Sequence, residues 1–226
     1  MWGWVLPSNR SAIFIGFKMK TYILGNGGYA QECFEQFVLR GVIKDFGGFI
    51  ILKNDKAILI NEEGVNDFSY DKDSAFVLGT GHRKWRKVFL DHMFKHYDQT
   101  ITHFPNIAAE NAHLSQTSIL GIGNVLNCFA LTNANANLGN FNLLNCYSSV
   151  HHDVKMGSHN ILTTYATVLG YCSVGDDNWL GNGTTITSKT VIGNDNTLSS
   201  GEHLFDDMTN RQFFKGGVIT EKPSKT

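Results

Sequence analysis

The chain has no cysteine pair at C-x-x-C spacing, no excess of either charge and no apolar run long enough to cross a bilayer. Each absence removes a class of function. Cys33, Cys128, Cys146 and Cys172 stand far apart and no secretory segment precedes them, so they read as reduced thiols of a cytosolic protein. Nineteen basic against twenty acidic residues, with a pI near 6.7, leave no electrostatic footprint for nucleic acid or an anionic membrane. The one basic cluster, "HRKWRK" from His82 to Lys87, reads as the solvated start of an amphipathic helix, not a phosphate patch. The opening "MWGWVLPSNRSAIFIGFK" has no basic start and no A-x-A-like cleavage site. Because "MKTYILGNGG" resembles a natural beginning, residues 1–18 are expected to be an extension without function.

What remains is a chain of 226 residues, 42% apolar and 17% charged, whose character changes near residue 105. Residues 19–105 read as a small Rossmann-like α/β domain. A strand at Tyr22–Leu24 leads through a glycine turn into a helix with apolar residues at Cys33, Phe34, Phe37 and Val38. "GGFIILK" and "SAFVLGTG" read as further strands, "HRKWRKVFLDHMFKHY" as a helix, and "TITHF" closes the pattern, which predicts a parallel sheet with covering helices. The turn after the first strand is G-x-G-x-x-A, with Gly25, Gly27 and Ala30, where bare backbone lets a phosphate approach a helix N-terminus. A nucleotide-linked ligand and a purely structural turn both fit. A nicotinamide dinucleotide fits less well, since only Asp55 in "LKND" offers an acid at the tip of the second strand. A second glycine turn, "GTGH" from Gly79 to His82, is expected to face the first across the carboxyl edge of the sheet.

Residues 106–226 carry a period of six. Every sixth residue from Leu120 to Leu198 is apolar except Thr132, and nearly all residues two places earlier are small. A period of eighteen lies on top: Gly121, Gly139, Gly157, Gly175 and Gly193 are each followed three residues later by asparagine, from Asn124 to Asn196. Three hexads per turn bring residues eighteen apart to about 4.8 Å, the strand-to-strand distance, which predicts a parallel β-helix of triangular section. The asparagines are expected to form a ladder of stacked amides, Cys128 and Cys146 to stack likewise, and the α/β domain to cover one exposed end. Within this frame "SSVHHDVKMGSHN" stands out. Val150 and Val154 take inward slots, so His151, His152 and Asp153 straddle an outer corner.

The six-residue repeat resembles that of the hexapeptide acyltransferases, whose coils are left-handed. With the glycine turn it resembles more narrowly the group of sialic acid O-acetyltransferases and bacillosamine-pathway sugar N-acetyltransferases. The likeness runs from about Met19 to Val218 and is strongest at "YILGNGGYAQE", "VLGTG" and "SVHHDVKMGSHN". It implies acetyl transfer from acetyl-CoA to an amino or hydroxyl group of a sugar, nucleotide-linked and used in surface glycan synthesis, without a metal. The family motif V-x-H-(D/E) maps onto Val150, His152 and Asp153, implying His152 as general base and Asp153 as the carboxylate that raises its basicity, with His151 a spectator or substrate contact. Imidazole titrates near neutral pH, which suits a base that takes a proton from an attacking amine or hydroxyl. The resemblance further implies a homotrimer with coenzyme A between subunits, Gly170 beside the acetyl group, and Ile161, Asn182 and Ser200 further along the groove. Sugar recognition would fall to Gly25, Asn26, Gly27, Gly28, Gly79 and Thr80. The chain departs from the group at Lys53 and Asn54, where relatives carry acids, and in its ending "GGVITEKPSKT", which lacks G-x-P-A. Two rival readings remain: a zinc enzyme like the γ-class carbonic anhydrases, although His113, His151, His152, His159 and His203 lack its H-x4-H pair, or a non-catalytic scaffold.

Overall fold

A computed structural model describes residues 19–100 and 102–222. The proposed extension, residues 1–18, lies outside the described residues. The described residues build a five-stranded sheet with two short helices, then a coil of mostly two-residue strands stacked in three sheets.

The first sheet has β1 (Lys20–Leu24), β2 (Phe46–Lys53), β3 (Lys56–Asn61), β4 (Gly64–Asp67) and β5 (Ser74–Leu78) in the order β4-β3-β2-β1-β5. Only β1, β2 and β5 are mutually parallel, so the sheet is mixed, not the parallel one expected. The cause is local: Asn54 and Asp55 take φ of 50° and 58°, the left-handed pair of a two-residue hairpin turn, and send the chain straight back as β3. "TITHF" adds no strand among its described residues; Thr102–Phe104 form a turn, and Phe104 is buried in the core. The first helix, α1 (Gly28–Cys33), buries Ala30 and Cys33 and runs into a π-helical turn, Phe34–Val38, that buries Phe37. The second, α2 (Arg83–Met93), is shorter than the sequence pattern and starts after His82. With two helices and three parallel strands the unit is Rossmann-like only in its β1-α1-β2 crossover and its glycine turn.

The coil is a left-handed parallel β-helix of about six turns. In each two-residue strand the first residue faces out and the second faces in, as at Ser149–Val150, Lys155–Met156 and Thr167–Val168. The inward residues form one continuous core from Leu120 to Phe214. The register is eighteen throughout: Val150 pairs with Thr132 below and Val168 above. The amide ladder runs from Asn106 through Asn124, Asn142, Asn160 and Asn178, each Nδ2 donating to the Oδ1 one coil below at 2.9–3.2 Å. Each ladder asparagine from Asn124 to Asn178 also donates to a glycine carbonyl, so these buried amides are satisfied on both sides. At the top, Gln212–Lys215 pairs in parallel with Thr197–Leu198, and Val218–Glu221 folds back on it. That hairpin covers the last rung with Phe214.

The sheet unit does not cap the lower end of the coil as expected. It lies along one face, where the outward residues Ile107, Val125, Leu143 and Ile161 of four successive rungs pack against Ile23, Ala30, Phe37 and Val77. Arg83 ties α2 to the coil higher up through Asp195 at 2.7 Å. No helix among the described residues is long and apolar enough to cross a membrane.

Candidate active site

His152 and Asp153 occupy the turn between Ser149–Val150 and Lys155–Met156. That turn is the corner between two of the coil's faces, and the third face, directly opposite, carries the sheet unit. Asp153 has φ of 59°, the left-handed conformation that most corners of this coil adopt. There the carboxylate turns back on its neighbour, and His152 Nδ1–H donates to Asp153 Oδ2 at 3.0 Å. With Nδ1 so engaged, Nε2 is the free proton acceptor. Both side chains are partly open to solvent, at 48% and 34%.

One coil above, Gly170 leaves the space the imidazole fills: a Cβ at this position would lie 2.7 Å from His152 Cε1 and 2.9 Å from Nε2. Gly170 therefore stands over the ring itself. Tyr171 meets the same ring edge to face at 5.1 Å. One coil below, Asn135 Nδ2–H donates to the other carboxylate oxygen, Asp153 Oδ1, at 3.1 Å. The bond from His152 first, and that from Asn135 second, hold the Asp153 carboxyl below the ordinary carboxylate range, so it stays ionised. His151 is partly buried; burial first, then His152, lowers its pKa.

The other expected coenzyme contacts do not share this corner. Ile161 is 1% exposed, its side chain enclosed between coil and sheet unit. Asn182 and Ser200 are exposed at another corner, where Asn182 N–H donates to Ser200 Oγ at 3.1 Å. The residues expected to contact the sugar do come together. Gly25, Asn26, Gly27, Gly28, Gly79 and Thr80 line one cleft of about 410 Å³ at the carboxyl edge of β1 and β5. The two glycine turns touch: Gly79 N–H donates to Leu24 O at 2.9 Å, and a Cβ at Gly25, where φ is +119°, would meet Gly79 O at 2.9 Å. The remaining wall is mostly apolar, with Ile51, Leu52, Phe89 and the half-exposed Trp85, and carries Tyr29 and His82 as its polar members. Asp55 is not in this cleft; it lies 3.6 Å from His92 Nδ1 and 3.9 Å from Lys95.

Sequence reading missed three residues at these sites. Arg86, inside the run read as solvated, is 3% exposed and donates to Thr80 O at 3.1 Å and Phe141 O at 2.7 Å. Burial lowers its pKa to about 10. It clasps the second glycine turn to the coil, and nothing in a basic run announces that. Asn135 and Tyr171 were legible in principle, lying eighteen residues before and after Asp153. Among the described residues, no three His, Cys, Asp or Glu side chains converge as a metal site within one chain.

No family model matches this sequence. No curated protein matches it either. Solved structures do. The acetyltransferase domain of PglB from Neisseria gonorrhoeae FA1090, in complex with acetyl coenzyme A, superposes with a TM-score of 0.73 at 18% identity, covering 90% of this chain and 98% of that one. A mutant of perosamine N-acetyltransferase from Caulobacter crescentus, in complex with CoA and GDP-perosamine, superposes with a TM-score of 0.74 at 19% identity, covering 92% and 99%. WeeI from Acinetobacter baumannii AYE gives 0.66 at 16% identity over 90% and 99%. At these identities the likeness is one of fold, and it extends over the sheet unit as well as the coil.

Proposed function

We propose that the protein transfers an acetyl group from acetyl-CoA to the amino group of a nucleotide-linked amino sugar, with His152 as general base. The observation that carries this reading is the His152–Asp153 pair, with Nε2 free beneath Gly170, on a fold shared with proteins whose structures contain acetyl-CoA, CoA and GDP-perosamine. In the reaction, the sugar nitrogen attacks the thioester carbonyl while His152 Nε2 takes the proton it sheds. The tetrahedral intermediate collapses, the C–S bond breaks, and the imidazolium returns the proton to the departing thiolate of coenzyme A. Asp153, ionised throughout, stabilises the imidazolium and fixes the tautomer.

In this reading the glycine cleft holds the acceptor. Its bare turn at the start of α1 suits a diphosphate, and the flat apolar wall with Trp85 suits a nucleobase. The cleft belongs to the unit packed on the coil face opposite the His152 corner, so in this reading its acceptor is served by the base of a neighbouring chain. A homotrimer with coenzyme A between subunits accordingly belongs to this reading, one chain offering Gly170 and its neighbour Asn182 and Ser200 from the other corner, with Ile161 behind the wall.

The test is an acetyl-CoA assay against GDP-, UDP- and dTDP-linked amino sugars and free sialic acids, with His152→Ala as control. Acetylation of a nucleotide-linked amine, lost about 10²-fold or more in the variant, is the expected result. Near-normal transfer by folded His152→Ala would remove the assignment of the base. A monomer by light scattering would remove the shared groove.

A further inference from the structure

The corner that carries Asp153 holds a vertical file of residues at one slot: Asn135, Asp153, Tyr171 and Lys189, with φ between 59° and 69°. At the equivalent slots of the other corners stand Phe129, Phe141, Tyr147, His159, Tyr165, Asp177 and Asp195, with φ between 54° and 62°. The left-handed backbone therefore does not demand an asparagine. At position 135 the amide does something the slot alone does not require: its Nδ2–H reaches up one coil to Asp153 Oδ1 at 3.1 Å. Its own backbone N–H is held from below by Thr117 Oγ1 at 3.0 Å, and that hydroxyl is bonded to Ser115 Oγ at 3.2 Å.

A carboxylate at a solvated corner rotates about χ2 unless both oxygens are engaged. Among the described residues Asn135 holds Asp153 Oδ1 and His152 meets Oδ2, while Tyr171, one coil above, adds a weaker hydrogen-bonding contribution to the same carboxylate. Holding one oxygen fixes where the other points. We propose that Asn135 is a positioning residue: by binding Asp153 Oδ1 it aims Oδ2 at His152 Nδ1, and so keeps the proton on Nδ1 and Nε2 bare. The depressed Asp153 pKa, to which Asn135 is the second contributor after His152, agrees with this geometry.

The inference rests on the acetyl-transfer reading for its rate measurement alone, because the tautomer is read independently. Three substitutions are compared with wild type: Asn135→Gly, which keeps the left-handed backbone and removes the amide, Asn135→Asp, which tolerates that backbone but turns a donor into a second carboxylate, and Asn135→Gln, which keeps an amide on a longer stem. Nitrogen NMR of histidine-labelled protein, with His152→Ala to assign the signal, is expected to show the Nδ1–H tautomer in wild type and a mixture in Asn135→Gly. The acetyl-transfer kcat is expected to fall about tenfold in Asn135→Gly, the order of effect of losing a hydrogen bond to a charged group. It should fall further in Asn135→Asp, with the acceptor KM within about twofold in both. Asn135→Gln, which restores an amide, should recover part of the loss. If the slot matters only for its backbone, all three residues give equal tautomer and equal kcat, and the proposal is overturned. If no acceptor is acetylated by wild type but the tautomer still shifts in Asn135→Gly, positioning stands and the functional reading fails. An unshifted tautomer ends the proposal whatever the rates.

Discussion

Gly170 and His152 compete for one volume. A methyl group on residue 170 would sit 2.7 Å from the imidazole Cε1, closer than side-chain carbons approach. Gly170→Ala is therefore expected to push the ring away from Asp153 and cut acetyl transfer by about 10²-fold, within the range that a general base contributes. The backbone there does not have positive φ, so the coil itself accepts alanine. Retained circular dichroism with lost turnover is the expected pair of measurements; normal turnover would show that the imidazole works from another rotamer.

Asn142 sits in the middle of the amide ladder. Its Nδ2 serves Asn124 Oδ1 and Gly157 O, and its Oδ1 accepts from both N–H groups of Asn160, backbone and side chain. Asn142→Leu keeps the branched shape but is bulkier; it leaves the Asn160 backbone N–H without its acceptor, takes one bond each from Asn124 Oδ1, Gly157 O and Asn160 Nδ2, and overpacks the corner. With about 1–3 kcal/mol for each buried group left unpaired, the loss should be at least about 3 kcal/mol in urea unfolding. A loss under about 1 kcal/mol would mean that the ladder is a consequence of the coil and not a support of it.

Arg86 is a buried cation that meets no carboxylate among the described residues, so two effects oppose each other on its removal. Arg86→Met relieves the desolvation of a charge but strands the carbonyls of Thr80 and Phe141. The stranded carbonyls should win, giving about 2 kcal/mol of lost stability. Because Thr80 lines the cleft, the acceptor KM should rise while the KM for acetyl-CoA stays unchanged. An unaltered acceptor KM would show that the turn is held by its other contacts.

Burial pushes the Cys33 thiol up to about 12 from an ordinary value of 9.0. The folded chain thus keeps a proton that the unfolded chain gives up between those limits, and stability must fall as pH rises above about 9. Between pH 8 and 10 the wild type should lose stability faster than Cys33→Ala. Equal slopes in urea titrations at both pH values would show that the thiol is not shielded as described.

How much of this was legible in the chain depends on how far apart the interacting residues stand. Val150, Met156 and Leu162 repeat the same physical demand every six residues, and Asn124 to Asn196 every eighteen, so the coil and its ladder follow from spacing alone. The hairpin of β2 and β3 was missed because its turn, Asn54–Asp55, carries the left-handed pair without a glycine to mark it. Arg86 was missed because its partner at Phe141 lies 55 residues away, beyond any local pattern. The His152–Asp153 pair was visible as two residues the repeat did not need. What the repeat could not say is which side of the prism the sheet unit would occupy, since that depends on Ile107, Val125, Leu143 and Ile161 offering an apolar strip outward.

That choice of side has a genetic meaning. If each chain carries its acceptor cleft on one flank and its base on the opposite corner, no molecule uses its own pair, and damage to either half is shared with a neighbour. Two inactive alleles, one broken at the glycine turns and one at His152, would then complement when their products assemble together. In such a mixed assembly, an intact cleft meets an intact base wherever the right two chains stand side by side.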